Sequence, residues 1–123
     1  MKGISETKTL GDIIDWLGQL PLEDEVIFDF CGASPISLDS SRGDYSELAL
    51  AFSFDQKTTV GQMLEWCKAA VGSTFMGYKG GHYTMDRHTQ VWVDQYGKWT
   101  GTAIKSLERE GHGYGVIRTE LIR

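Results

Sequence analysis

The chain has 123 residues and a mass of 13.7 kDa, one domain's worth and long enough to bury a core without disulfide or metal staples. Apolar residues at 41% and charged residues at 24% exclude wholesale disorder. The 17 Asp plus Glu outnumber the 12 Lys plus Arg, and a net charge of −5 excludes binding long nucleic acid through a generally basic surface.

Residues 1–8 are polar and are expected to fray, leaving 9–123 as a single globular domain. The N-terminal stretch has no apolar h-region and no segment approaches a membrane span, so no membrane partner and a cytoplasmic location are expected. A first helix starts at Thr9, with Asp12 three positions on, and Pro21 stops it. Leu10, Ile13, Ile14, Leu17 and Leu20 form its apolar face. A second helix repeats the recipe from Thr59 and Gln62, with Val60, Met63, Leu64, Cys67 and Val71 on one face. The stretches TLGDIIDWL and TVGQMLEWC align, and Trp16 and Trp66 each lie seven residues after the capping threonine. Either two amphipathic helices share a common start signal, or the chain carries an old duplication, which would predict pseudo-two-fold symmetry.

Between the helices, Glu25 to Cys31 and Glu47 to Phe54 alternate as strands, joined by a long polar loop from Gly32 to Ser46. Further strands are expected at Val91 to Tyr96, Gly101 to Leu107 and Gly115 to Leu121, with Glu110 to Gly113 turning the last hairpin. The order defines an α+β fold, two amphipathic helices packed on a mostly antiparallel sheet. Cys31 and Cys67 read as reduced, buried small hydrophobes rather than a secreted framework.

Three clusters have the chemistry of a ligand site. Arg42, Gly43, Asp44 and Tyr45 lie in the long loop, where a guanidinium fork suits phosphate and a tyrosine offers a face and a hydroxyl. The segment from Phe75 to Tyr83, FMGYKGGHY, combines glycines that let backbone approach an anion with the charge of Lys79, without being a P-loop. Tyr83, Trp92, Gln95, Tyr96 and Trp99 offer ring faces and an amide able to read a base edge. Against these stand bland readings: a surface turn, a bulged connection between strands, and Trp92 as plain core. Arg118 joins the phosphate candidates because alternation on the last strand, relative to Val116 and Leu121, points it outward. His82, His88 and His112 lie in glycine- or threonine-rich surroundings, without metal-ligand spacing to one another or to a cysteine, so no metal and no cofactor are expected.

The phrases VIFDF, SSRGDYSELALAF, TTVGQMLEWCKAAVGSTF, MGYKGGHYTM and VWVDQYG followed by TGTAI, taken together over residues 9 to 120, resemble a family of small bacteriophage-encoded proteins, the first-type Thoeris anti-defence proteins. The resemblance implies a compact α+β homo-oligomer that sequesters cyclic ADP-ribose-type immune signals of TIR-domain enzymes without cleaving them. Some members also bind cyclic oligonucleotides at a separate site. Asp94-Gln95 after VWV departs from the Ala-Asn or similar that the family pattern would place there.

Nanomolar binding needs about −12 kcal/mol. Two stacking contacts supply about 2–6 kcal/mol and three charge-assisted phosphate hydrogen bonds about 4.5–9 kcal/mol, while association costs at least about 4 kcal/mol. An enclosed pocket is required, which a chain this small forms most readily between subunits. The expected contacts are Arg42, Lys79 and Arg118 to phosphate, Tyr83 and Trp92 to rings, and Gln95 and Tyr45 to base or ribose. Two other readings compete: an enzyme that degrades the signal with a histidine pair as acid and base, and a protein–protein inhibitor whose exposed aromatics form an interface.

Overall fold

Thr9 and Thr59 start the two helices through the same reciprocal cap. The Thr9 hydroxyl accepts the Asp12 N–H at 3.2 Å while the Asp12 carboxylate accepts the Thr9 N–H at 3.1 Å. Thr59 and Gln62 do the same at 3.2 and 3.0 Å. The computed structural model describes residues 7–30, 32–40, 47–76, 82–93, 102–111 and 113–121, with backbone alone at Ser40, Phe75, Met76, His82, Tyr83 and Leu121. Helix α1 runs Leu10–Leu17 and α2 runs Val60–Ala70. The first ends earlier than its apolar spacing suggests. Gln19 and Leu20 donate to Trp16 and Leu17, tightening the chain into i→i−3 turns before Pro21, and Leu20 still packs on the core. Among the described residues no helix is long and apolar enough to cross a membrane.

The strands are β1 (Glu25–Phe28), β2 (Ser34–Ser40), β3 (Leu48–Ser53), β4 (Thr58–Thr59), β5 (Thr74–Met76), β6 (His82–Thr84), β7 (Val91–Val93), β8 (Thr102–Glu110) and β9 (Tyr114–Leu121). Seven form one sheet in the order β2-β3-β7-β8-β9-β1-β4, antiparallel except for β3 with β7 and β1 with β9, while β5 and β6 pair separately. The architecture is the expected α+β one. The strand β2 corrects the reading of residues 32–46 as a long loop. Pro35 and a bulge between Pro35 and Ser37 break the alternation that marks a strand, and both are tolerated where the strand ends the sheet.

Both helices cover one face. Leu10, Ile13, Ile14 and Leu17 of α1 and Val60, Met63, Cys67 and Ala70 of α2 share a core with Val26, Phe28, Leu48, Leu50, Val91, Val93, Ile104 and Ile117. Residues between these on each strand, including Ile27, Ala49, Trp92, Ala103 and Val116, point to the other face. The sheet ends approach one another where the Thr58 hydroxyl on β4 donates to the Pro35 carbonyl on β2 at 2.6 Å, and beside it the Phe28 N–H on β1 donates to the Ala33 carbonyl at 2.7 Å. Gly111 and Gly113, at φ of 55° and 103°, form the expected last turn, where a side chain would be strained. His112 between them lies outside the described residues.

The chain repeats itself in space. Leu10 and Gly11 donate their N–H groups to Thr89 and Arg87, on the entry to β7, at 2.8 and 2.9 Å, and Val60 and Gly61 donate to Asp24 and Leu22, on the entry to β1, at 2.7 and 2.9 Å. Thr9 bridges to Gln90 as Thr59 pairs with Glu25. Val26, Ile27 and Phe28 lie parallel to Gly115, Val116 and Ile117, and Val91, Trp92 and Val93 lie parallel to Leu48, Ala49 and Leu50. Each following hairpin, β2–β3 and β8–β9, bulges at the same place, between Pro35 and Ser37 and between Ile104 and Ser106. The order helix, strand, bulged hairpin thus occurs twice, related by a pseudo-two-fold. The glycines serve the close approach at the helix starts: a Cβ on Gly11 would meet the Arg87 carbonyl at 2.9 Å.

Candidate ligand platform

Trp92 stands on the sheet face turned away from both helices, half-buried, and is therefore not part of the core that they cover. Its cross-strand partners are Ala49 on β3 and Ala103 on β8, both small and both buried. Its indole N–H donates to Glu47 Oε1 at 2.7 Å, a charge-assisted bond that fixes the plane of the ring. A ring held at one edge and flanked by alanines is a preorganised stacking surface. Glu47 was missed as a site residue by sequence reasoning, which saw it only as the start of a strand. The one available signal was an acid beside a strand whose neighbour carries a tryptophan.

Arg118 lies on the same face as Trp92, two strands across, at about 10–12 Å by sheet spacing. Contrary to the expected alternation, Arg118 shares its face with Val116 and opposes Leu121, so the three do not define an outward residue. Its guanidinium is committed to carboxylates, to Glu108 at 2.9 Å and to Glu110. A phosphate reaching Arg118 has to displace them. The hydrogen bond and charge of Glu108 raise the guanidinium's pKa, and the hydrogen bond from Arg118, with a second from Ser106, holds the Glu108 carboxyl below its usual range. This pair therefore stabilises the fold above the ordinary carboxylate range and loses its contribution as pH falls through the lowered Glu108 value. Replacing Arg118 by Gln is expected to move the Glu108 titration upward, read by side-chain carboxyl NMR.

The remaining expected contacts divide plainly. Arg42, Tyr45, Lys79 and Gln95 lie outside the described residues. Tyr83 is placed by its backbone alone, paired with Phe75 across β5–β6. His82 is likewise placed by its backbone alone, paired with Met76, while His88 is exposed in a turn where its N–H donates to Asp86. Among the described residues no group of His, Cys, Asp and Glu has the makings of a metal site.

Three other features were candidates for chemistry. Both helix N-termini, ordinarily anion sites, are filled by capping side chains and by the carbonyls of Arg87, Thr89, Leu22 and Asp24. An open groove of about 290 Å³ lies between Ile36, Gln56, Lys57, Thr58, Gln62, Glu65 and Trp66, at the small end for a ligand site. Cys67 is fully buried, and burial pushes its thiol up to about 12, so it is packing and not a nucleophile. The sign gives a test. The folded chain keeps this proton where an unfolded thiol loses it, so the contribution of Cys67 to stability falls as pH rises from the ordinary thiol range toward 12. An alkylating reagent at pH 8 is expected to leave the Cys67 peptide unmodified in the native protein and to label it fully in urea, read by peptide mass spectrometry.

Comparison of the chain with protein-family models, with curated proteins and with solved structures finds no match.

Proposed function

We propose that this chain is a non-catalytic binding protein that sequesters a cyclic ADP-ribose-type signalling nucleotide, acting in the cytoplasm of a phage-infected cell against host defence. The observation that supports the reading is the Trp92 platform: a fixed indole face between two buried alanines, outside the helix-covered core. Chain connectivity adds to it. The segment carrying Arg42 and Tyr45 rejoins the sheet at Leu48, opposite Val91, and the segment carrying Gln95 leaves it at Val93. Trp92 thus stands between the roots of both, which lie about 7 Å apart along β7. A second copy of the chain is the proposed source of the wall that closes a ligand against Trp92, giving a homo-oligomer.

The test is recovery of ligand. The protein is incubated with cyclic ADP-ribose isomers, freed of unbound nucleotide, and heated. Intact cyclic nucleotide in the supernatant supports sequestration. Linear ADP-ribose alone rejects it in favour of a degrading enzyme. Absence of any retained nucleotide, with a stoichiometric host protein captured instead, favours the inhibitor reading.

A further inference from the structure

The platform sits where two otherwise matching halves of the chain differ. Superposing the repeated pattern pairs Val26 with Val91, Phe28 with Val93, Leu50 with Ile117 and Leu38 with Leu107, all apolar and all on the core. The other face behaves differently. Trp92 falls on Ile27, and its neighbour Ala49 falls on Val116. A large residue opposite a small one in the first place is a medium residue opposite a medium one in the second, which keeps cross-strand volume roughly constant.

We infer that the chain is two fused copies of one unit, a helix, a strand and a bulged hairpin, and that the platform was made by exchanging a single cross-strand pair, Trp92 on Ala49 where the other copy of the arrangement holds Ile27 on Val116. Ala49 is then a positioning residue. Its lack of branching lets the indole lie low against the sheet, where the methyl groups of a valine would lift it from Glu47. The ligand part of this inference rests on the nucleotide-binding reading above; the part concerning the fold does not.

Two experiments test it. The pseudo-symmetry maps the link from Ser53 to Thr58 onto a link from Glu120 to Lys8. Thr7 Oγ1 already accepts the Ile104 N–H at 2.7 Å, and Ile104 pairs with Thr119, so the two ends of the described chain lie one strand apart. A circular permutant joining Arg123 directly to Met1 and reopened within residues 54–57 is expected to unfold cooperatively with a Tm within ~5 °C of the parent. An unfolded permutant overturns the two-unit reading. In the second experiment, Ala49→Val and Trp92→Ile are made singly and together. Each single change is expected to lower Tm, and the pair, which copies the other half, to recover most of the loss. Additive losses overturn the exchange. For binding, Ala49→Val is expected to weaken retention of cyclic ADP-ribose at least ~10-fold and to shift Trp92 emission, in protein that remains folded. Unchanged retention and emission overturn the positioning role. If the parent retains no cyclic ADP-ribose while the permutant folds and the pair couples, the nucleotide reading fails and the duplication stands.

Discussion

Phe28→Ala is expected to lower the unfolding free energy by about 3–5 kcal/mol, the range for truncating a fully buried aromatic. Only 1% of Phe28 is exposed. Its ring stacks on Phe30 at a centroid distance of 4.9 Å and meets the edge of Phe52 at 6.1 Å, so its removal strips two aromatic partners as well as leaving a cavity. The residue also sits where the sheet ends meet, its N–H donating to Ala33, and beside Ile117 on β9. Collapse of the surroundings into the void would disturb both contacts, which places the cost high in the range. Against a total of about 5–15 kcal/mol for a domain, the variant is left marginal, with Tm lowered by about 10–20 °C. Phe54→Ala is the control. That ring is 58% exposed and touches Phe52 from outside at 5.7 Å, so its loss should cost under ~1 kcal/mol. Urea unfolding of the three proteins checks this, and equal midpoints for Phe28→Ala and Phe54→Ala would show that the aromatic cluster does not anchor the sheet closure.

The parts of this fold that could be read from residue order are those fixed by local chemistry. Thr9 with Asp12 and Thr59 with Gln62 announce helix starts because the cap is satisfied within a few residues. Strands β1 and β3 show through alternation, because one face is dry. Strand β2 was hidden, since Pro35 and the bulge remove the two-residue period while Thr58 and β3 supply the hydrogen bonds that hold it. The duplication was visible only as the matched TLGDIIDWL and TVGQMLEWC, which helix caps alone could have produced. What separates the readings is non-local: carbonyls of Arg87 and Leu22 meeting Gly11 and Gly61, and two bulges at one register. The site was less legible than the fold for the same reason. The face that Trp92 takes depends on which strand lies beside it, and Glu47 becomes its partner only through parallel pairing of β3 with β7. Alternation along β9 carries no sign that Arg118 is occupied, because the carboxylates of Glu108 and Glu110 that hold it come from the other strand of the hairpin.

Trp92→Ala is expected to weaken retention of cyclic ADP-ribose about 5- to 150-fold, the equivalent of one lost base–aromatic stack at about 1–3 kcal/mol. The ring is half-buried on the face turned away from the helices and its N–H donates to Glu47, so a thermal melt of each variant separates lost packing from lost ligand contact. Trp92→Phe separates the two contributions. A phenyl ring keeps a face for stacking but has no N–H, so the bond to Glu47 Oε1 is lost and the ring loses that anchor. Its affinity should fall between the parent and the alanine variant, because an unfixed ring has to be ordered at each binding event. Arg118→Gln should change affinity far less than Trp92→Ala, since that guanidinium is already occupied by Glu108 and Glu110. Equilibrium dialysis with cyclic ADP-ribose ranks the four proteins. An Arg118 variant that loses more than the Trp92 variants would move the site along the sheet to β9, and equal affinity in all four would remove this sheet face from the binding surface altogether.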